Sequence, residues 1–420
     1  MPRLLILLLP LLLLGCAGHG PLRPQLGQVC TQAPPAPGQD RCAQAAFEQV
    51  TGPQGYYLGF VEFDDQGQPT VTEAEGGAPA QLRAVVGQAN TLAGQGDVIL
   101  VAFVHGWHHS AAAGDSNIDT LRTVLAGLAA NEAQRPANLR RPVIGVYVGW
   151  RGNSITLGGL NELTFWDRKN TAAKVGYGSV TQLFAELEQI KRSRDAIDGP
   201  AARPGRTRLV VVGHSFGGLV VHNALGQIMV DRAVRTEGGN QGYVGDIERF
   251  GDLVVLINPA FEAQAYAPLR QVAVQRKSYG CEQRPIEVIL TSRSDDATKL
   301  AFPLGRLLSS MFQHGSWAPA NTTAVGHYGP FLTHDLSPGA QTPPPPGPCT
   351  RPSLVARQSG AAGLNLSPWP RPAGSPDTPP RRDPYLNISV DGSLIKGHND
   401  IGNAQTIEFL AGLLAGAVSD

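Results

Sequence analysis

The chain of 420 residues lacks a net charge, since Lys plus Arg and Asp plus Glu each number 34. With no positive field and no dense Lys/Arg stripe, nothing in it draws a polyanionic backbone, and nucleic-acid binding drops out of the expectations. Cysteine is scarce at five, and no C-x-x-C pair is present, so these thiols do not read as a metal centre. His105, His108 and His109 lie close together but without H-E-x-x-H or a neighbouring carboxylate pattern, which argues against a metal there as well. No cofactor is called for. No internal repeat is visible, which excludes a solenoid. The apolar run Leu4 to Leu14 is too short to span a bilayer comfortably.

What the chain does have is Gly213-His214-Ser215-Phe216-Gly217-Gly218, preceded by the β-branched run Thr207 to Val212 and followed by the helical pattern Leu219 to Leu225. A strand, a sharp turn and a helix around G-x-S-x-G form a nucleophile elbow, with Ser215 at its tip. The flanking glycines admit a turn so tight that a Cβ would clash. The helix N-terminus brings backbone N–H groups and the positive end of the dipole toward any oxyanion formed nearby.

Other unbroken apolar runs read as strands covered on both faces: Asp97 to Val104, Pro142 to Val148, Asp252 to Ile257 and Pro285 to Leu290; Tyr385 to Val390 reads as the last strand. Helical stretches at Asn117 to Glu132, Ser179 to Arg194 and Ala404 to Val418 separate or follow them. The alternation predicts an α/β fold with a mostly parallel central sheet flanked by helices. Tyr56 to Phe63, followed by Asp64-Asp65-Gln66-Gly67, predicts an early hairpin. One domain over 46–420 is expected. Within it, 153–178 reads either as a cap over the site or as an excursion packed on the body, and 337–384, rich in Pro, Gly, Ser and Ala, as an extended insertion before the last strand. The Pro-, Gly- and Gln-rich segment 16–45 reads as a flexible tether.

Residues 1–15, one positive charge and a leucine-rich core, have the pattern of a signal peptide. The junction Leu13-Leu14-Gly15-Cys16 resembles the lipobox of bacterial lipoproteins, although Leu14 stands where a small residue is usual. The resemblance implies acylation of Cys16, hence an exported protein held to the cell envelope by a lipid anchor; the alternative is an ordinary secretory signal with Cys16 incidental. Cys30, Cys42, Cys281 and Cys349 then remain, an even number that predicts two disulfides with three pairings on paper. Cys30 with Cys42 closes a short loop, and Cys281 with Cys349 anchors the proline-rich excursion; this pairing is the expectation.

A serine hydroxyl needs a base within reach and a carboxylate to orient that base. The elbow resembles that of the α/β-hydrolase fold, in which an acid and then a histidine follow the serine on loops after later strands; the resemblance implies an acid after the Pro285 to Leu290 strand, where Asp295 is the choice and Asp296 the alternative. The base is expected between the last strand and last helix, at His398, with His327 and His334 as rivals. His19, His222 and His314 read as structural. Backbone N–H groups of Phe216 and Trp107 are the expected oxyanion donors, the latter because Gly106 in Val104-His105-Gly106-Trp107 allows close approach. His105 would support that loop by hydrogen bonding.

Together Phe103 to His109, Gly213 to Gly218 and Ser294 to Thr298 resemble the α/β-hydrolase superfamily of lipase and esterase type, over most of the chain from about Tyr56 onward with the proline-rich stretch excepted. The resemblance implies the α/β-hydrolase fold and a serine acyl mechanism on a small-molecule or lipid-like ester. Two other readings stand beside it: an acyltransferase sharing the acyl intermediate, and a catalytically silent lipoprotein that binds a partner at the envelope.

Overall fold

The computed structural model describes residues 20–36, 39–73, 77–152, 165–198, 206–236, 246–276, 279–302, 318–341, 349, 352–372, 375, 378–380 and 382–419. Its strands are β1 (Cys30–Gln32), β2 (Phe47–Val50), β3 (Tyr56–Phe63), β4 (Ile99–Val104), β5 (Val143–Trp150), β6 (Arg208–His214), β7 (Leu253–Ile257), β8 (Glu287–Ser292), β9 (His334–Pro338), β10 (Leu364–Pro368) and β11 (Tyr385–Val390). They form one 11-stranded sheet in the order β1-β2-β3-β5-β4-β6-β7-β8-β11-β9-β10. From β3 to β9 along that order every neighbouring pair is parallel, whereas β2–β3 and β9–β10 are antiparallel. The α/β architecture expected from the unbroken apolar runs is the one observed.

Both faces of the sheet are covered. On β4, Leu100, Ala102 and Val104 join one core, and Ile99, Val101 and Phe103 join the other, the period of two that a doubly buried strand produces. The first core takes helices α1 (Ala80–Gln95), α3 (Phe165–Tyr177), α4 (Val180–Asp198), α5 (Phe216–Arg235) and α6 (Ala263–Gln275); the second takes α2 (Ser116–Ala133), α8 (Leu354–Ala361) and α9 (Ala404–Val418). The short helix α7 (Ala318–Thr322) packs on α6. Each fully buried Val, Leu or Ile contributes roughly 1.5–3 kcal/mol, so the two layers supply the main stabilisation.

Registers along the sheet place the functional ends side by side. Val104 lies opposite Gly213, His214 opposite Ile257 and Ile257 opposite Leu290. The carboxyl ends of β4, β6, β7 and β8 therefore emerge on one edge, where loops of an open α/β sheet gather.

Three expectations need correction. The early hairpin is shorter than expected: after β3 the chain turns back at Asp64 to Gly67, but among the described residues it forms there only the bridge between Phe63 and Pro69, and the antiparallel ladder partner of β3 is β2, through the turn at 51–55. The segment expected as a tether through residue 45 is docked over most of its described length. Arg23, fully buried, lies over the Phe60 ring at 3.9 Å and donates to the Ala111 and Cys42 carbonyls and to Asp40. Glu62 accepts from the backbone N–H groups of Leu22 and Arg23. The insertion at 337–384 is also not merely extended: β10 pairs with β9 at the sheet edge, and Leu354, Val355, Leu364 and Leu366 bury in the second core. It joins the main core because it cannot build its own.

Disulfides join Cys30 to Cys42 and Cys281 to Cys349, across 12 and 68 residues of sequence. Cys16, the rest of the signal segment and 153–164 of the cap lie outside the described residues. No helix among the described residues is long and apolar enough to cross a membrane.

The N-terminal segment is fastened by charges withdrawn from water. Arg122 on α2 bonds Asp40 at 2.9 Å and Glu48 at 2.9 Å, with Glu48 wholly buried. Removing the cation strands a buried carboxylate, which costs about 3–5 kcal/mol. Arg122→Met is therefore expected to lower unfolding free energy in urea by about that amount; a loss under about 1 kcal/mol would show that the network does not hold the segment.

Candidate active site

At the end of β6 the chain turns into α5 with almost no clearance. A Cβ on Gly217 would overlap the Val104 carbonyl oxygen, and one on Gly213 would lie 2.6 Å from the Gly217 carbonyl oxygen. Ser215 takes φ 56°, ψ −120°, a conformation a non-glycine residue adopts only under constraint. Its N–H donates to the Ile257 carbonyl at 2.9 Å and its own carbonyl accepts from Ala260, so the neighbouring strand end holds the turn. The residue is 3% exposed.

The structure brings Ser215, His398 and Asp295 together. Ser215 Oγ lies 2.6 Å from His398 Nε2, and His398 Nδ1 lies 2.9 Å from each oxygen of Asp295. With Asp295 ionised, Nδ1 carries the hydrogen and Nε2 is left to accept from the serine. Burial pushes the Asp295 carboxyl up, but the hydrogen bond and charge of His398 and the two bonds from Thr298 together hold it below its ordinary value. Asp296, the alternative acid, is exposed. Neither rival histidine touches the serine: His334 bonds Thr333, and His327 bonds Thr298.

His398 sits on the loop between β11 and α9, and that loop is tied to the elbow. Its carbonyl accepts from His214 Nε2 at 3.0 Å and from Asn258 Nδ2 at 2.9 Å. Asn258 also accepts from the Ser292 N–H and has φ 45°, which asparagine tolerates better than most residues. Ser292 Oγ in turn donates to the Ile395 carbonyl. Sequence reasoning passed over Asn258, because no local pattern marks a residue that acts across 140 positions.

On the other side of the serine is the loop after β4. His105 donates from Nδ1 to the Gly106 carbonyl at 2.8 Å, and its Nε2 accepts the Trp150 N–H at 3.0 Å. Its ring is stacked between Tyr147 and Trp150, at 5.5 and 5.4 Å. The expected support of the loop by His105 is thus a pair of hydrogen bonds and two stacking contacts. A Cβ on Gly106 would lie 2.8 Å from Ser215 Cβ, so the chain here approaches the elbow closely. Phe216 opens α5, where first-turn N–H groups have no intrahelical acceptor. The Trp107 and Phe216 rings lie 6.3 Å apart.

His109 bonds Asp115 and Asn117, so its two nitrogens are occupied by protein groups. The described residues with ligand atoms close enough for a metal are Asp40, Cys42 and Glu48, but Cys42 is in a disulfide and both carboxylates bond Arg122. Above the elbow, Phe165 at the start of α3 contacts Trp107 at 5.3 Å and Phe216 at 5.0 Å, and Trp166 lies 6.1 Å from Phe302. Helix α3 is packed close against α5, with Gly176 over Val220 and Asn223, and Lys169 pairs with Glu262 at 2.7 Å. His222 stacks on Phe261 and bonds the Ala265 carbonyl, a structural role as expected.

No protein-family profile matches the chain, and no curated protein is similar to it. Among solved structures, the phospholipase PlaB from Legionella pneumophila, in complex with thio-NAD, is similar over 65% of this chain and 50% of that one, at 11% identity and a TM-score of 0.25. The chain spans about half the length of that phospholipase.

Burial, ahead of the charge of His398, pushes His214 down to about 3, and burial pushes His105 down to about 4. A lowered value keeps a ring neutral until the pH falls to it, so both rings are expected to stay uncharged through about pH 5. An NMR titration of the imidazole carbons checks this; a His105 or His214 ring that charges near the ordinary value of 6.5 would mean that the site is wetter than its packing implies.

Proposed function

We propose that the protein is a serine hydrolase that cleaves carboxylic esters through an acyl-enzyme. The observation that carries the reading is the run of contacts from Ser215 Oγ through His398 to Asp295, 2.6 Å and then 2.9 Å, on a serine held at positive φ. In this reading His398 Nε2 removes the Ser215 proton as Oγ attacks the ester carbonyl, and Asp295 stabilises the imidazolium that forms. The N–H groups of Trp107 and Phe216 take the developing oxyanion. His398 then gives its proton to the departing alkoxide, leaving the acyl group on Ser215. Water enters, loses a proton to His398 and releases the acid, which restores the serine. The steps need only these groups and water.

The half-buried rings of Trp107, Phe165 and Trp166 beside the elbow favour an apolar acyl chain, hence a lipid-like ester, since such rings bury large apolar area. The two disulfides fit an exported protein, as such bonds persist in oxidising compartments. An acylated Cys16 would hold it at the membrane where such esters lie.

Intact-protein mass after fluorophosphonate treatment tests the nucleophile: one adduct is expected on the wild type and none on Ser215→Ala. Asp295→Asn, which leaves His398 in the wrong tautomer, is expected to cut ester turnover about 10,000-fold. An equal adduct on Ser215→Ala, or full turnover in Asp295→Asn, would sink the assignment.

A further inference from the structure

A carboxylate on a short side chain is poorly fixed by its own torsion, because rotation about the last bond is broad and two-fold. Its orientation has to come from its partners. Asp295, at 0% exposure, has partners besides His398: the Thr298 N–H donates to Oδ1 at 3.1 Å and the Thr298 hydroxyl to Oδ2 at 2.5 Å. A hydroxyl is itself a free rotor with one proton. Since that proton goes to Asp295, His327 Nε2, 3.0 Å from the same oxygen, must donate a hydrogen to it. The result is a directed chain, His327 Nε2–H to Thr298 Oγ1–H to Asp295, with every donor pointing toward the carboxylate.

His327 is placed to hold its end. It closes a 3-10 turn, Val325–His327, whose first N–H donates to the Phe261 carbonyl and whose Val325 carbonyl accepts from Asn387 on β11, at 3.0 and 2.9 Å. A Cβ at Gly326 would overlap Thr291 Oγ1 on β8. The turn is thus seated on the two strands whose loops carry Asp295 and His398. The charged or titratable groups facing His327 are Asp295, Lys299 and His398, and burial keeps the ring below its ordinary value and so neutral, with one N–H to give.

We infer that Thr298 and His327 are positioning residues for Asp295, an inference that rests on the ester-hydrolase reading of Ser215, His398 and Asp295. His327 locks the Thr298 rotor, and Thr298 turns the carboxylate to meet His398 Nδ1. Neither side chain touches substrate in this role.

The test uses the full chain. Loss of the Thr298 hydrogen bond to the charged Asp295 corresponds to about a tenfold effect on rate and loss of the neutral His327–Thr298 bond to about a fivefold one, so fluorophosphonate labelling of Ser215 should slow about tenfold in Thr298→Val and about fivefold in His327→Leu. Because both act through one hydroxyl, the double variant should be about tenfold slower, as Thr298→Val alone, and not about fiftyfold. His327→Gln, which keeps an N–H near the position of Nε2, should restore most of the rate. The acid limb of the labelling-rate profile should move to lower pH in the Leu and Val variants, since a loosened Asp295 stabilises the His398 imidazolium less. The downfield NMR resonance of the His398 Nδ1 proton should be present in the wild type and His327→Gln, and lost or broadened in the other two.

Additive rates, or an unchanged resonance in Thr298→Val, would overturn the inference. If His327→Leu does not fold, as its thermal melt will report, Thr298→Val and His327→Gln carry the comparison. A wild type that takes no label overturns the hydrolase reading by itself, and the proton resonance, which needs no substrate, then still decides whether Thr298 and His327 hold Asp295.

Discussion

The site depends on the approach of the first turn of α5 to the Val104 carbonyl, backbone against backbone, where Gly217 leaves no room for a Cβ. Strand β4 lies between β5 and β6, so its carboxyl end abuts the elbow in register, Val104 against Gly213. That one contact brings the His105 to Trp107 loop beside Ser215 and at the same time forces the serine into its unusual backbone conformation. The strain, of order 1–3 kcal/mol for such a residue, is held by the hydrogen bonds between Ser215 and the end of β7 and by the wholly buried strands on either side.

Around this fixed serine the other groups are held by polar contacts between largely buried groups, where each hydrogen bond is stronger and each unpaired group more costly. His398 belongs to a loop, and loops move; here its carbonyl is pinned by His214 and Asn258, and its ring by Asp295. A neutral His214 suits that job, because it needs only one N–H and a charged ring beside His398 would repel the imidazolium formed in the proposed reaction. The same logic reaches Asp295 from behind through Thr298. Rigidity of the site thus comes from contacts between residues far apart in sequence rather than from any one loop.

The periphery is fastened in a similar way. The N-terminal segment is secured by Arg23, Arg122, Asp40, Glu48 and the Cys30–Cys42 bond, and the insertion before β11 by its edge strands and the Cys281–Cys349 bond. Buried ion pairs contribute little net stability compared with apolar packing, but they are intolerant of losing one partner. They specify where a proline-rich segment lies when its own apolar content is too small to decide.

Features set by neighbours in the chain were legible in the sequence. Unbroken apolar runs marked the central strands β4 to β8, because burial on both faces demands such runs, and the β-prone stretches Tyr56–Phe63 and Tyr385–Val390 match β3 and β11 to the residue. The elbow was legible because its steric requirement falls on glycines two residues either side of Ser215. Asp295 and His398 stood out from their rivals through the resemblance, by their places after particular strands. Only the tertiary structure decided which of Asp295 and Asp296 turns inward, which histidine reaches the serine, and that His327 stands behind the acid. Those outcomes depend on which loops the strand order brings together, and that is a sum over long-range contacts. The edge strands of the insertion and the docking of residues 20–36 and 39–46 were hidden for the same reason, since their partners lie elsewhere in the chain; the β2–β3 hairpin is local, but Phe47 to Val50 is short, half polar and carries little strand signal of its own.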